Sequence, residues 1–165
     1  MGIRLSDCER KKLYFKFGGA DLYLRYDMAA LLKLEKSNID LYKGIVIEPL
    51  KRVAFRIGLE NCIAETDIDE EYIYDIEAAM SADEISRLVE EATLLSLPEP
   101  VVGAKPKPGS TDYVQLFGLF CDIMGKPDEL FWKSTVREII QRWDKYAEIN
   151  GYKKPAEKVK QFEDE

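Results

Sequence analysis

Residues 97–110, LPEPVVGAKPKPGS, place the strongest constraint on how this chain can fold. The segment holds four prolines and two glycines. Proline lacks a backbone N–H donor, so the segment cannot continue a helix interior or a central strand. We expect an extended, mobile linker rich in polyproline II conformations. It divides the chain into an N-terminal domain (residues 1–96) and a helical C-terminal module (residues 111–150), followed by a polar tail (residues 151–165).

The N-terminal part begins with two aromatic-rich alternating runs, LYFKF and LYLRY, separated by GGAD. This pattern predicts a β-hairpin. Signals for a helix start then recur four times, which predicts a four-helix domain. In chain order they are Asp27, Pro49, Asp67 or Asp69, and a capping box formed by Ser81 and Glu84. The expected fold class is mainly α with an N-terminal β-hairpin, an α+β arrangement.

The C-terminal module is predicted to contain two helical pieces. Ser110 or Thr111 caps the first, and Gly125 ends it. A second capping box, Thr135 with Glu138, begins the last long helix.

Phe131 and Trp132 lie side by side just before that capping box, and they allow two interpretations. An apolar residue before a cap commonly packs onto the first turn of the helix, which gives the pair a local core role. Alternatively the two rings are a surface that grips a partner. A module of about 40 residues has few other ways to bury itself, which favours the core role.

Several classes of catalytic and metal site are excluded by residue type. The chain has no histidine, so hydrolases that use a Cys–His or Ser–His pair are excluded. No GxxxxGK[ST] phosphate loop is present. An EF-hand starting at Asp67 would need glycine and glutamate where Tyr72 and Ala78 stand. We therefore expect no enzyme, no metal and no cofactor, and the remaining catalytic alternative is an enzyme that uses carboxylates such as Asp67 or Asp69.

The net charge of −7 is distributed unevenly. Twelve acidic residues and one basic residue, Arg87, lie between Glu60 and Glu91, which argues against a nucleic-acid-binding face there. Such an acidic face either attracts a basic protein partner or is a solvated helix surface. No apolar run approaches the roughly 20 residues that span a bilayer. The N-terminus lacks an apolar signal core, so we expect a cytoplasmic protein.

The stretch FGGADLYLRYDMAALLKLEK resembles the opening of tail assembly chaperones from long-tailed bacteriophages and prophages. In that family a glycine-turn hairpin leads into a basic–aromatic–Asp triplet and then a helix with an Ala-Leu...Leu-Glu pattern. The triplet here is Arg25-Tyr26-Asp27, and the helix pattern is Ala30, Leu31, Leu34 and Glu35.

The C-terminal module adds a second likeness to the same family. There Phe-Trp precedes Ser/Thr-x-x-Glu-Ile, and here Phe131 and Trp132 precede Thr135, Glu138 and Ile139. The likeness extends over roughly residues 13–147, with the Pro-rich joint in between. The family often adds its downstream domain by programmed ribosomal frameshifting near the joint, whereas here both halves lie in one chain.

The resemblance implies binding rather than catalysis. Members of the family keep the long tape-measure protein soluble and recruit the major tail-tube protein in the host bacterial cytoplasm, and they are absent from the mature virion. On this hypothesis the partner-binding residues are Phe131, Trp132, Trp143, Asp69, Glu70 and Glu71. Neither nucleic acid nor a membrane is an expected partner, and self-association stays open. The alternative is a small acidic adaptor or regulatory protein that binds a basic host protein through residues 60–91.

Overall fold

A computed structural model of the chain describes residues 13–65, 69–98 and 112–152. The first part contains strands β1 (Leu13–Phe17) and β2 (Ala20–Leu24), then helices α1 (Met28–Lys36), α2 (Glu48–Glu65), α3 (Tyr72–Ala79) and α4 (Ala82–Ser96). The last part contains α5 (Tyr113–Phe117), a π-helical continuation (Gly118–Ile123), α6 (Asp128–Trp132) and α7 (Val136–Ile149). The predicted fold class, mainly α with an N-terminal β-hairpin, is confirmed. The division at residues 97–110 stays a prediction, because residues 99–111 lie outside the described ranges.

The hairpin turns through the two glycines that the sequence singled out. Gly18 and Gly19 have φ angles of 56° and 80°, which suits a two-residue turn between antiparallel strands. β2 ends at Leu24, two residues earlier than predicted. The Arg25 N–H donates to the Gly58 carbonyl of α2 at 3.1 Å, so the chain leaves the hairpin along α2.

Three of the predicted helix caps are present. Asp27 accepts a hydrogen bond from the Ala30 N–H at 2.8 Å and caps α1. Both capping boxes, Ser81 with Glu84 and Thr135 with Glu138, are complete and begin α4 and α7.

Two other helix starts differ from prediction. Asp69 accepts from the Glu71 N–H at 3.1 Å and so forms a turn before α3, which has no side-chain cap. The alternative cap Asp67 lies outside the described residues, as do Ser110 and Thr111. The cap of α5 is Asp112, which accepts from the Gln115 N–H at 3.0 Å.

One hydrophobic core contains residues from both sides of the Pro-rich segment. Leu22, Leu24 and Tyr26 are fully buried, as are Phe120 and Phe131 from the C-terminal part. A two-stranded hairpin is marginal by itself, so its stability depends on this packing. Further members of the same cluster include Leu34, Phe55, Leu59, Ile76, Ile85, Leu88, Val136 and Ile139.

Helix α2 approaches β2 closely at Gly58. A Cβ atom placed on Gly58 would lie 2.6 Å from Leu24 Cδ2 and 3.0 Å from Tyr26 Cε1. The Tyr26 ring cannot move away easily, because its hydroxyl donates to the Ala54 carbonyl at 2.8 Å. Glycine at this position therefore allows the helix and the strand to share one core.

We expect Gly58→Ala to lower the free energy of unfolding by about 1–3 kcal/mol, since overpacking outweighs the better helix propensity of alanine. Gly118→Ala is the matched control, because the nearest atom to its added Cβ is 3.9 Å away. Urea unfolding of both variants measures the difference. An equal effect of the two substitutions would contradict the close approach at Gly58.

Candidate partner-binding site

The two motifs that carry the family resemblance meet at one buried ion pair. Arg25 is 4% exposed and binds Glu138 in a bidentate manner, with N–O distances of 2.9 and 2.6 Å. The same guanidinium donates to the Lys133 carbonyl at 2.8 Å. Glu138 also accepts from the Thr135 N–H at 2.9 Å, so one carboxylate both closes the capping box of α7 and pairs with Arg25.

Two further hydrogen bonds join the start of α7 to other helices. Together with the Arg25–Glu138 pair they form what we call the junction. The Met28 N–H, at the start of α1, donates to the Ser134 carbonyl at 2.9 Å. Arg137 Nε, in the first turn of α7, donates to the Leu97 carbonyl at the end of α4 at 2.7 Å. The start of α7 is therefore fixed to the start of α1 and to the end of α4.

Asp27 is the second buried carboxylate near the junction, at 3% exposure. Burial raises the pKa of Asp27 above its ordinary value. The hydrogen bond from the Ala30 N–H and the positive charge of Arg25 oppose that shift. The Arg25-Tyr26-Asp27 triplet thus combines an ion pair, a buried phenol and a helix cap in three consecutive residues.

The Phe131–Trp132 pair is divided between core and surface. Phe131 is 1% exposed, and its ring lies 5.1 Å from that of Phe117 and 6.1 Å from that of Phe120. Trp132 is half-buried and stacks on Tyr113 at 6.4 Å. This geometry favours the core role for Phe131, whereas Trp132 retains surface that a partner could contact.

Trp143 belongs to a separate aromatic cluster at the end of α7. Its ring stacks on Tyr146 at 5.8 Å and on Tyr152 at 6.5 Å. The chain reverses at Gly151, with a φ angle of 75°, and the Tyr152 N–H donates to the Ala147 carbonyl at 2.7 Å. This is the hydrogen bond of a Schellman motif. The C-terminal aromatic platform, defined as Trp143, Tyr146 and Tyr152, is therefore built by the helix C-cap.

The predicted acidic residues lie in a different element. Asp69, Glu70 and Glu71 are all exposed in the turn before α3. Their exposure is compatible with a docking face for a basic partner and with a solvated helix start. No described contact decides between these two interpretations.

An apolar groove, which the sequence interpretation missed, lies between the α1–α2 connection and α4. We call it the α4 groove. It has a volume of about 300 Å³ and is lined by Leu41, Gly44, Ile45, Lys51, Ser86, Val89, Glu90, Thr93 and Leu94. The signal was the run Ile45-Val46-Ile47, three apolar residues in a connection that has no regular structure to bury them.

Among the described residues, no group of three or more His, Cys, Asp or Glu side chains could hold a metal ion. No helix within these ranges is long and apolar enough to cross a membrane. The sequence matches no protein-family model, no curated protein and no solved structure. The functional proposal therefore rests on the motifs and surfaces of the chain itself.

We expect Glu138→Gln to lower the free energy of unfolding by about 3–5 kcal/mol, because it leaves the Arg25 charge buried without its partner while glutamine can still complete the cap. Glu60→Gln is the matched control, since Glu60 and its partner Lys33 are 43% and 56% exposed. An exposed pair of this kind contributes about 0–1 kcal/mol. Urea unfolding compares the two variants. A similar loss of unfolding free energy in both would show that the Arg25–Glu138 pair does not stabilise the fold more than an exposed ion pair does.

Phe131→Ala should cost about 3–5 kcal/mol of unfolding free energy, because it leaves a cavity between Phe117 and Phe120. Tyr152→Ala removes a ring that is 67% exposed and should cost about 1 kcal/mol or less. Denaturant unfolding monitored by tryptophan fluorescence distinguishes the two. If Phe131→Ala is as stable as the wild type, the ring is not part of the core.

Proposed function

We propose that this protein is a non-catalytic tail assembly chaperone of a long-tailed bacteriophage or prophage. It binds and solubilises the tape-measure protein and recruits tail-tube subunits in the host cytoplasm, and it is absent from the mature virion.

The Arg25–Glu138 pair is the observation that carries this proposal. The resemblance depends on two short motifs, and these two residues are 113 positions apart. If each motif resembled the family only by chance, the two motifs would not be expected to contact each other in the folded chain. Here the arginine of the first motif binds the glutamate of the second, and Asp27 and Thr135 of the same motifs cap the adjoining helices.

The surface supports a binding role as well. Leu94, which lines the α4 groove, is 65% exposed, Val46 and Ile47, which follow the lining residue Ile45 in the chain, are 92% and 59% exposed, and the C-terminal aromatic platform adds a second apolar surface. Exposed apolar patches of this kind mark interaction sites. A net charge of −7 keeps such a carrier in solution.

The exposed acids Asp69, Glu70 and Glu71 favour the second candidate, a small acidic adaptor that binds a basic host protein. A pull-down from host lysate that also contains the tail proteins separates the candidates. Retention of a host regulator with no tail protein bound would favour the adaptor.

Co-expression with a tape-measure protein from the same phage or prophage tests the chaperone proposal directly. We expect most of the tape-measure protein in the soluble fraction when the two are expressed together, and aggregation when it is expressed with an unrelated acidic protein of equal size. Equal solubility in the two cases would refute the chaperone function.

A further inference from the structure

We propose that the α4 groove docks one amphipathic α-helix of a protein partner, with an apolar stripe seated in the groove and a lysine or arginine against Glu90. The inference rests on the proposed function, since it names the part of the tape-measure protein that this site would hold. It assigns a role to a surface outside the motifs that carry the resemblance.

The floor of the groove offers a ligand mainly apolar contact. Leu41 and Val89 form its base and are 5% and 3% exposed. Three of its polar side chains already form hydrogen bonds: Lys51 Nζ donates to Ser86 Oγ at 2.8 Å, and Thr93 Oγ1 donates to the Val89 carbonyl at 2.7 Å, whereas the Glu90 carboxylate lies at the rim. A bound group therefore gains by removing apolar surface from water rather than by completing a polar network.

The shape of the groove favours a helix over other ligands. A volume of about 300 Å³ is at the lower end of small-molecule pockets, and among the described residues a single unpaired carboxylate, Glu90, is not the convergent set of polar groups that orients a cofactor. The groove is lined by α4, by Lys51 of α2 and by an irregular connection, so the lining offers no strand edge on which a peptide could add a strand. Insertion of an amphipathic helix, with anchors at i, i+3, i+4 and i+7, is the recognition mode that suits an apolar groove beside a helix.

The rim extends the apolar area beyond the groove itself. Leu94 lines the groove and is 65% exposed, and Val46 and Ile47 directly follow the lining residue Ile45. Leu94 is thus an exposed aliphatic side chain of the groove itself, and Val46 and Ile47 are exposed one and two residues beyond its lining. Contact with an apolar stripe would cover them together with the floor.

The charge at the rim of the groove indicates which charge the partner helix should carry beside its apolar stripe. Glu90 is exposed at the rim and forms no ion pair with any residue in the described ranges, whereas its neighbour Glu91 pairs with Arg87 at 3.3 Å. Helix α4 carries four acidic residues and one basic residue. A helix with a basic residue beside its apolar stripe fits this rim, and an acidic flank would be repelled.

The probe is a labelled 20-residue designed helix with leucine at i, i+3, i+4 and i+7 and lysine along the flank. Fluorescence anisotropy should show binding to the full chain and at least a tenfold weaker affinity for Leu94→Glu. Val114→Glu is the matched control, because Val114 is an aliphatic residue that is 84% exposed in α5. Both positions are on the surface, so thermal unfolding should confirm that both variants fold.

A second peptide, in which glutamate replaces each flanking lysine, tests the charge preference of the groove. Glu90→Lys should weaken the lysine peptide several-fold and strengthen the glutamate peptide. The inference is overturned if the wild type binds neither peptide, if Leu94→Glu and Val114→Glu act alike, or if Glu90→Lys has no effect. It is also overturned if the wild type is a dimer that Leu94→Glu dissociates, because the occupant would then be a second copy.

Repeating the co-expression experiment with Leu94→Glu separates this inference from the proposed function. If wild type and Leu94→Glu both keep the tape-measure protein soluble, the groove inference fails and the chaperone function stands. If the lysine peptide binds in the groove but the wild type leaves the tape-measure protein insoluble, the chaperone function fails and the groove inference stands. Loss of solubility with Leu94→Glu alone supports both.

Discussion

The buried pair of Arg25 and Glu138 is the interaction on which the rest of the structure depends. An arginine at 4% exposure is tolerable only because its guanidinium is matched by a bidentate carboxylate and by the Lys133 carbonyl. The same carboxylate closes the capping box of α7. One side chain thus fixes the direction of the last helix and its attachment to the hairpin end of the molecule. Phe120, Phe131, Val136 and Ile139 of the same C-terminal part belong to the core shared with the hairpin.

Large apolar side chains are divided between the core and the surface. Phe131 faces inward, where its ring packs against Phe117 and Phe120. Large aliphatic side chains are exposed at the α4 groove and in the connection before α2 (Leu94, Val46 and Ile47), and also in the C-terminal part (Val114, Ile123 and Ile149). The proposed chaperone therefore combines a fold stabilised by the Arg25–Glu138 pair with a binding surface on α4 and the α1–α2 connection. This arrangement allows partner contact without disturbing the junction.

Local features of the fold could be predicted from the sequence, whereas long-range pairing could not. The caps at Asp27, Ser81 and Thr135 depend on hydrogen bonds between residues three apart, so a short pattern identifies them. No short pattern connects Arg25 with Glu138, because the two residues are 113 positions apart. The sequence context of Glu138 indicates a local role in the capping box of α7, and it does not indicate a second, distant partner. The α4 groove requires the relative position of a loop and a helix, which no local pattern specifies.

Native-state hydrogen exchange tests most directly whether the junction makes the N-terminal domain and the C-terminal module unfold as one cooperative unit. The amides of Ile139 and Ile140 in α7 should open with nearly the same free energy as that of Leu59 in α2, because the Arg25–Glu138 pair and the shared core connect them. Both helices should lose protection in one transition as denaturant is added. Exchange of α7 through an opening several kcal/mol below that of α2 would contradict it.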